Sequence, residues 1–432
     1  MSESTMDQTS FPTRRGFLGT GAVAAGLTVH SSRARAADTS AIRIGIVGCG
    51  GRGTGAIDDS LSINQNVKVV AAADLYPAKC ASLRQMLGAK HEGKVRLDDA
   101  KIHGGLDGYR RVLDDPDVDV VFLTTSPGFR PRMLLEAVDA GKHVFAEKPV
   151  CVDPAGYRIC IEAHGKAVDK GLGIVTGTQY RRQKNYIAAV EQIRQGTIGE
   201  IIGGTSRFCT GGIWYRPRKE GMSDAEYQLN NWYHFVWLSG DQIAEQAVHN
   251  IDTINWVMGE NPVSAYGSGG RFTRPQDSEL WDTMSVDYEY PGGKTISFMC
   301  RQLPGTASDI SSVIFGTEGT CLIAALDAGS RVIDRKGNEV WRMGGGISQA
   351  YKQEHKDLIE SIRAGKPIVE LKQTADSSLV AVLGRVAAYT GQRVTFDFLA
   401  KESKLDLFPK DLAWDSSLPA PSFAIPGRTK LV

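Results

Sequence analysis

Three ionisable side chains stand in settings that suit chemistry as well as solvation. Lys148 lies in "HVFAEKP", where a short apolar run ends in Glu147 and Pro149 follows. A strand ending there projects the ammonium from its carboxyl edge, although pairing with Glu147 at a turn explains the residues equally well. Glu245 and His249 are four apart in "GDQIAEQAVHNIDTINWVMG". On a helix they share one face, with Ile251 and Trp256 available to pack inward. An imidazole there, with its ordinary pKa near neutrality, can accept a hydroxyl proton while a hydride leaves the same carbon. Glu245 would orient the ring or bind a neighbouring hydroxyl. A histidine satisfied by its neighbours fits the residues as well as a catalytic one, and zinc at this spacing lacks a third ligand.

Chemistry of this kind needs elements that bring distant segments together. In "AIRIGIVGCGGRGTGAI", Ile42, Ile44, Ile46 and Val47 form a nearly continuous apolar strand, as burial on both faces requires. It runs into Gly48, Gly50 and Gly53, spaced G-x-G-x-x-G, with Cys49, Gly51 and Arg52 between them. Such spacing arises by chance in a chain with 48 glycines, so context decides. A second strand, "VKVVAAAD", ends in Asp74, about 20 residues on, where an acid accepts hydrogen bonds from an adenosine ribose. One glycine turns the chain, one lets backbone approach pyrophosphate, and one lets helix pack on strand, while the helix N-terminus attracts phosphate. Asp74 repels a ribose phosphate and so favours NAD over NADP, with Lys79 and Arg84 as the alternative phosphate ligands.

"VDVVFLTT", "RPRMLLEAVDAG", "KHVFAEKP", a helix over 154–170 and "LGIVTGTQY" continue the alternation. They predict a right-handed, doubly wound parallel sheet of the Rossmann type over 41–181. Ligands lie beyond the carboxyl ends of such strands. Thr125, Ser126, Glu147, Lys148, Gln179 and Arg181 therefore belong on the cofactor edge.

After residue 182, alternating segments joined by turns predict an α+β domain with a large, mostly antiparallel open sheet, reaching to 410. Late helices around "QEHKDLIESIRAG" and "DSSLVAVLGRVAAYTG" would cover the other domain or the sheet edge, and 411–432 reads as an extended tail. "NNWYHFVWLSGD" is dense in rings: Trp232 or Tyr233 would line a small-molecule site, with Tyr180 and Arg181 as hydroxyl ligands, although such rings also suit a core. His143 reads as a strand residue, and His355 as a surface or capping residue.

The totals agree. A chain of 432 residues exceeds one comfortable core. With 50 basic and 49 acidic side chains it has no field for nucleic acid or an anionic membrane. Seven cysteines, without a C-x-x-C pair, read as buried thiols acquired in a reducing compartment. "TRRGFLGTGAVAAGLTV" followed by "ARAA" reads as a twin-arginine export signal over 1–36, engaging the machinery that exports folded proteins. Beyond it no run approaches a membrane span. Folding before export argues for a cofactor that is loaded first and held tightly.

"GIVGCGGRG", "AGKHVFAEKP" and the histidine segment together resemble the Gfo/Idh/MocA family, which includes glucose-fructose oxidoreductase and inositol dehydrogenase. The likeness runs from Ile42 to the late helices. It implies sugar or polyol substrates, assembly as a homodimer or homotetramer through the open sheet, and contact of Lys148 with both nicotinamide and the reacting hydroxyl. It also favours His249 as the catalytic proton acceptor. Family members more often carry aspartate where Glu245 stands. Two alternatives remain open: glycoside cleavage by transient oxidation on a retained NAD, and noncatalytic sugar binding.

Overall fold

The computed structural model describes residues 41–325 and 329–432. The twin-arginine segment and its cleavage pattern lie outside the described residues. The first layer opens with β1 (Ile42–Val47), α1 (Gly51–Ile63), β2 (Val67–Asp74), α2 (Pro77–Lys90), β3 (Ile102–Gly104) and α3 (Gly108–Leu113). It continues with β4 (Val120–Leu123), α4 (Arg130–Asp139), β5 (His143–Ala146), α5 (Pro154–Lys170) and β6 (Ile174–Thr176). All six strands pair in parallel, in the order β3-β2-β1-β4-β5-β6. The order reverses between β1 and β4, which opens a crevice at their carboxyl ends. Ile44, Ile46, Phe122 and Phe145 are fully buried, as a sheet covered on both faces demands.

α6 (Lys184–Arg194) leads to β7 (Ile201–Thr210), and four short helices follow: α7 (Asp224–Asn230), α8 (Val236–Ser239), α9 (Asp241–Glu245) and α10 (Val248–Met258). Then come β8 (Ser264–Gly270), β9 (Thr283–Tyr290), β10 (Lys294–Gln302), β11 (Asp309–Gly316), β12 (Gly319–Ala324), β13 (Ser330–Asp334) and β14 (Glu339–Met343). α11 (Ser348–Arg363), α12 (Leu371–Thr390) and β15 (Val394–Thr395) complete the order. Nine strands form one sheet, β14-β13-β12-β11-β7-β10-β9-β8-β15, antiparallel apart from the parallel β7–β10 pair. This is the expected fold class, a Rossmann sheet joined to a mostly antiparallel one. Val286, Ile296 and Phe298 face inward against helices α10 and α12, while Tyr266, Met299 and Phe315 are exposed on the outer face.

α11 returns to the first layer, packing on α1 and placing Leu358 and Ile359 in its core. His355, expected at the surface, is instead fully buried, with its ring 5.3 Å from Phe122 and 4.4 Å from Phe145. The correction follows from α11 having its inner face against the Rossmann sheet. His143 begins β5, as expected, and its Nδ1 accepts from the Gly173 amide at 2.8 Å. The tail, together with the residues from Leu407 that lead into it, lies along its own chain. The Leu407 amide donates to Asp153 at 2.8 Å and the Gly427 amide to the Thr390 carbonyl at 3.1 Å.

Candidate active site

The glycine loop meets the steric demands of a dinucleotide. Gly48 has φ +97°, and a Cβ there would lie 2.8 Å from the Thr124 carbonyl carbon. At Gly53 a Cβ would lie 2.0 Å from the Gly48 oxygen, so only glycine lets α1 approach β1. Gly50 caps α1 without a side chain, and nothing stands where its Cβ would be. The first amides of α1 thus open into the crevice, where a pyrophosphate fits. Asp74 lies at the far end. Its Oδ2 accepts from the Cys49 amide at 2.8 Å and its Oδ1 from the Tyr76 amide at 3.0 Å, with Lys79 3.6 Å away.

Two adjoining cavities run along this edge. One, of about 470 Å³, extends past Gly48, Asp74 and Tyr76. The other, of about 410 Å³, contains Lys148, Glu245 and His249. Gly50, Gly51, Arg52, Thr125, Ser126 and Trp232 line both. Gly53, Glu147, Gln179 and Tyr233 line the second, and Gln179 Nε2 donates to the Tyr351 hydroxyl at 3.3 Å. Cys49 contributes only its amide: its thiol is buried beside the Ala73 carbonyl, and it lines neither cavity.

Lys148, at the end of the loop after β5, donates from Nζ to the Glu245 carbonyl at 2.6 Å, with Glu245 Oε1 at 3.4 Å. A break in the helix frees that carbonyl. Glu245 and His249 do not share one helix, as the sequence suggests: α9 stops at Glu245 and α10 starts at Val248. The His249 amide turns to the Gln246 carbonyl at 3.5 Å, leaving the Glu245 carbonyl to the lysine. The two side chains nevertheless face the same cavity. Glu245 Oε2 is buried without a protein partner, an acceptor free for a ligand hydroxyl.

His249 is buried, and this burial, followed by the charges of Lys148 and Arg52, holds its pKa well below the ordinary 6.5. It is therefore a neutral base at working pH. Arg52 donates from Nε to Glu147. Burial alone would raise the Glu147 carboxyl, but the charges of Arg52 and Lys148 outweigh it and keep it below its usual value.

Tyr180 and Arg181 do not line either cavity. The Tyr180 ring packs behind His249 at 5.1 Å. Arg181 turns away, making a two-pronged bond to Asp252 at 2.8 and 2.9 Å. These are corrections with a plain cause: a buried carboxylate on α10 captures the guanidinium. Tyr233 accepts from Gln302 Nε2 at 2.7 Å, so its ring, with Trp232, forms a fixed wall. Sequence reasoning missed Arg130, Trp214 and Tyr351. Arg130 is buried, which pushes its pKa down to about 10, and it donates to the Pro149 and Thr125 carbonyls that shape the lysine turn. Trp214 stands in a glycine-flanked segment, "GGIWYR", and that isolated ring was the only signal for it. Among the described residues, no group of three or more His, Cys, Asp or Glu is placed to hold a metal ion.

Residues 42–169 match the model of the oxidoreductase family with an NAD-binding Rossmann fold, and residues 186–322 match the GFO/IDH/MocA C-terminal domain. The chain belongs to the Gfo/Idh/MocA family. A myo-inositol 2-dehydrogenase of Thermotoga maritima is 22% identical over 76% of this chain and 90% of its own. A scyllo-inositol 2-dehydrogenase (NAD(+)) of Bacillus subtilis is 25% identical over 60% of this chain and 72% of its own. Among solved structures, a levoglucosan dehydrogenase in complex with NADH and levoglucosan shares the fold. Its TM-score is 0.63 at 18% identity, covering 83% of this chain and 100% of that one.

Proposed function

We propose that this protein transfers hydride between a sugar or polyol carbon and a tightly held nicotinamide cofactor, NAD in preference to NADP. The observation that carries this reading is the meeting of Lys148, Glu245 and His249 in a cavity continuous with the glycine loop. The cofactor, when bound, supplies the hydride acceptor. Gly48 to Gly53 and the start of α1 would hold its phosphates, and Asp74 its ribose. Asp74 disfavours a ribose phosphate by like charge, which supports NAD.

The protein's own groups manage the proton and the orientation. Neutral His249 accepts the hydroxyl proton. The Lys148 ammonium, anchored on the Glu245 carbonyl, stabilises the developing alkoxide by charge. Glu245 Oε2 accepts from an adjacent hydroxyl. Trp214, Trp232 and Tyr233 offer ring faces to the C–H face of a pyranose or polyol and displace water. We further propose that residues 1–36 direct export of the loaded, folded chain, and that copies associate as a homodimer or homotetramer through the open sheet. The paired arginines Arg14 and Arg15 ahead of a short apolar run support the first, and the exposed Tyr266, Met299 and Phe315 support the second.

The test is to denature freshly purified protein and identify what is released by absorbance and mass. NAD or NADH near one per chain is expected, together with paired oxidation and reduction of free sugars without added dinucleotide. An empty protein with only a weak, exchangeable site would refute retention. Aglycone release from aryl glycosides would replace transfer with cleavage.

A further inference from the structure

Residues 211–232 leave β7 and pass over both cavities, carrying Trp214 and Trp232 to each and Arg216, Leu229 and Asn230 to the Asp74 end. Only α7 gives this cover regular structure before Trp232. The C-terminal tail fastens it. The Ala225 amide donates to the Ser416 carbonyl at 3.2 Å, the Leu418 amide donates to Asp224 at 3.3 Å, and Ser223 Oγ donates to the Trp414 carbonyl. On the other side, the tail and the residues just ahead of it grip the Rossmann edge. The Trp414 ring stands edge-on to Tyr76 at 5.5 Å, and Phe408 meets Phe129 at 5.3 Å. Leu407, just ahead of the tail, Leu418 of the tail, Leu229 of the cover and Leu75 of the Rossmann edge belong to one apolar cluster. The tail thus ties the cover to the far bank of the crevice.

Arg216 is the cover's positioned cation. Its amide donates to Asn231 Oδ1 at 2.9 Å, its Nη1 to the Asn230 carbonyl at 2.9 Å, and its guanidinium lies 4.5 Å over Trp214. Arg218, two residues on, is ion-paired with Asp224 at 2.7 Å. No ion pair to a carboxylate is found for Arg216 among the described residues, and it faces a cavity walled by the glycine loop. A positioned arginine without an ion-pair partner, lining a cavity that also holds Gly50 and Gly51 at the start of α1, has the chemistry to hold a pyrophosphate.

Resting on the dinucleotide reading above, we propose that Arg216 binds the cofactor from the cover, and that the tail, by pinning that cover, makes cofactor release slow. The cover must lift before the dinucleotide leaves, and the tail resists that lift.

The experiment loads full-length protein with NADH, mixes it with excess NAD and follows the decay of bound NADH fluorescence. Arg216→Ala is expected to speed release about tenfold, the loss of one charge-assisted contact, with Arg216→Lys in between. Trp414→Ala is expected to speed release as well, with thermal unfolding measured alongside; exposed Arg216 can be changed without disturbing the core. Lys219→Ala, on the same segment, should release at the wild-type rate. Wild-type rates in both Arg216→Ala and Trp414→Ala would overturn the proposal, and a change in Arg216→Ala alone would overturn the tail's part. Failure of the wild-type chain to bind NADH would instead sink the dinucleotide reading, and this inference with it, before any variant is made.

Discussion

Burial and two nearby cations hold the His249 imidazole pKa well below its ordinary value, and the acceptor role proposed for it depends on that. Since the neutral form takes the proton, kcat/KM for polyol oxidation should hold steady through pH 6.5 and fall only at the lower, depressed pKa. Replacing His249 by Asn should lower kcat/KM by about 10²–10⁴ and abolish that acid limb; a limb that survives unchanged would assign it elsewhere. The same shift has a cost in stability. The unfolded chain binds the proton first, so stability declines as pH falls from 6.5 toward the folded value. Arg181 makes the opposite case, a residue that looks like a ligand and acts as a brace. Arg181→Ala leaves Asp252 buried with only Ser377 at 2.8 Å. It should cost about 3 kcal/mol in denaturant unfolding, the range for breaking a buried pair, while any effect on sugar KM stays secondary. A large KM change at unaltered stability would return it to the site.

On α11, Glu354 is fully buried, and neither oxygen has a hydrogen-bond partner; Arg52 is 3.6 Å from one of them. Burial first and the charge of Glu147 second push its carboxyl well above the usual 4.5, so the folded chain holds that proton to higher pH than the unfolded chain does. Its contribution is full below pH 4.5 and is lost as pH rises through the gap to the folded value. Glu354→Gln should therefore raise Tm at pH 8 by a few degrees and do little at pH 4.5, read by calorimetry across pH. Equal effects at both pH values would count against a protonated acid. The contrast between α11 and the glycine loop shows what a sequence exposes. Gly48, Gly50, Gly53 and Asp74 were readable because their constraint is local: a turn, a close approach, a strand end. Lys148 was readable because it follows a buried strand. The 3.6-residue period revealed α11 but not that its buried face carries Glu354 and His355 against the Rossmann sheet. Arg181 was misread because its partner lies 71 residues away on another element. The role of the Glu245 carbonyl was hidden because it depends on a helix break that the apolar pattern runs straight through. β14 carries little sequence signal, because its residues are almost all outside the core and lack a buried alternation.

Across the whole molecule, the nine-stranded sheet buries one face under helices and leaves the other open. Tyr266 and Met299 are 54% and 38% exposed there, and the proposed assembly would cover them. Sedimentation at micromolar concentration should find an oligomer, and Tyr266→Glu with Met299→Glu should yield a folded monomer. A wild-type chain that sediments as a monomer would dismiss assembly through this face. The join between the two sheets is tight. At Gly128, just before α4, a Cβ would meet the Trp237 carbonyl at 2.2 Å, and Arg385 of α12 donates to the Gly240 and Val152 carbonyls at 2.9 and 2.8 Å. A side chain at position 128 would therefore pry the two lobes apart at that seam. Thr125 and Ser126, which line both cavities, lie just ahead of Gly128, so a side chain at that position would displace the cavity wall together with the seam.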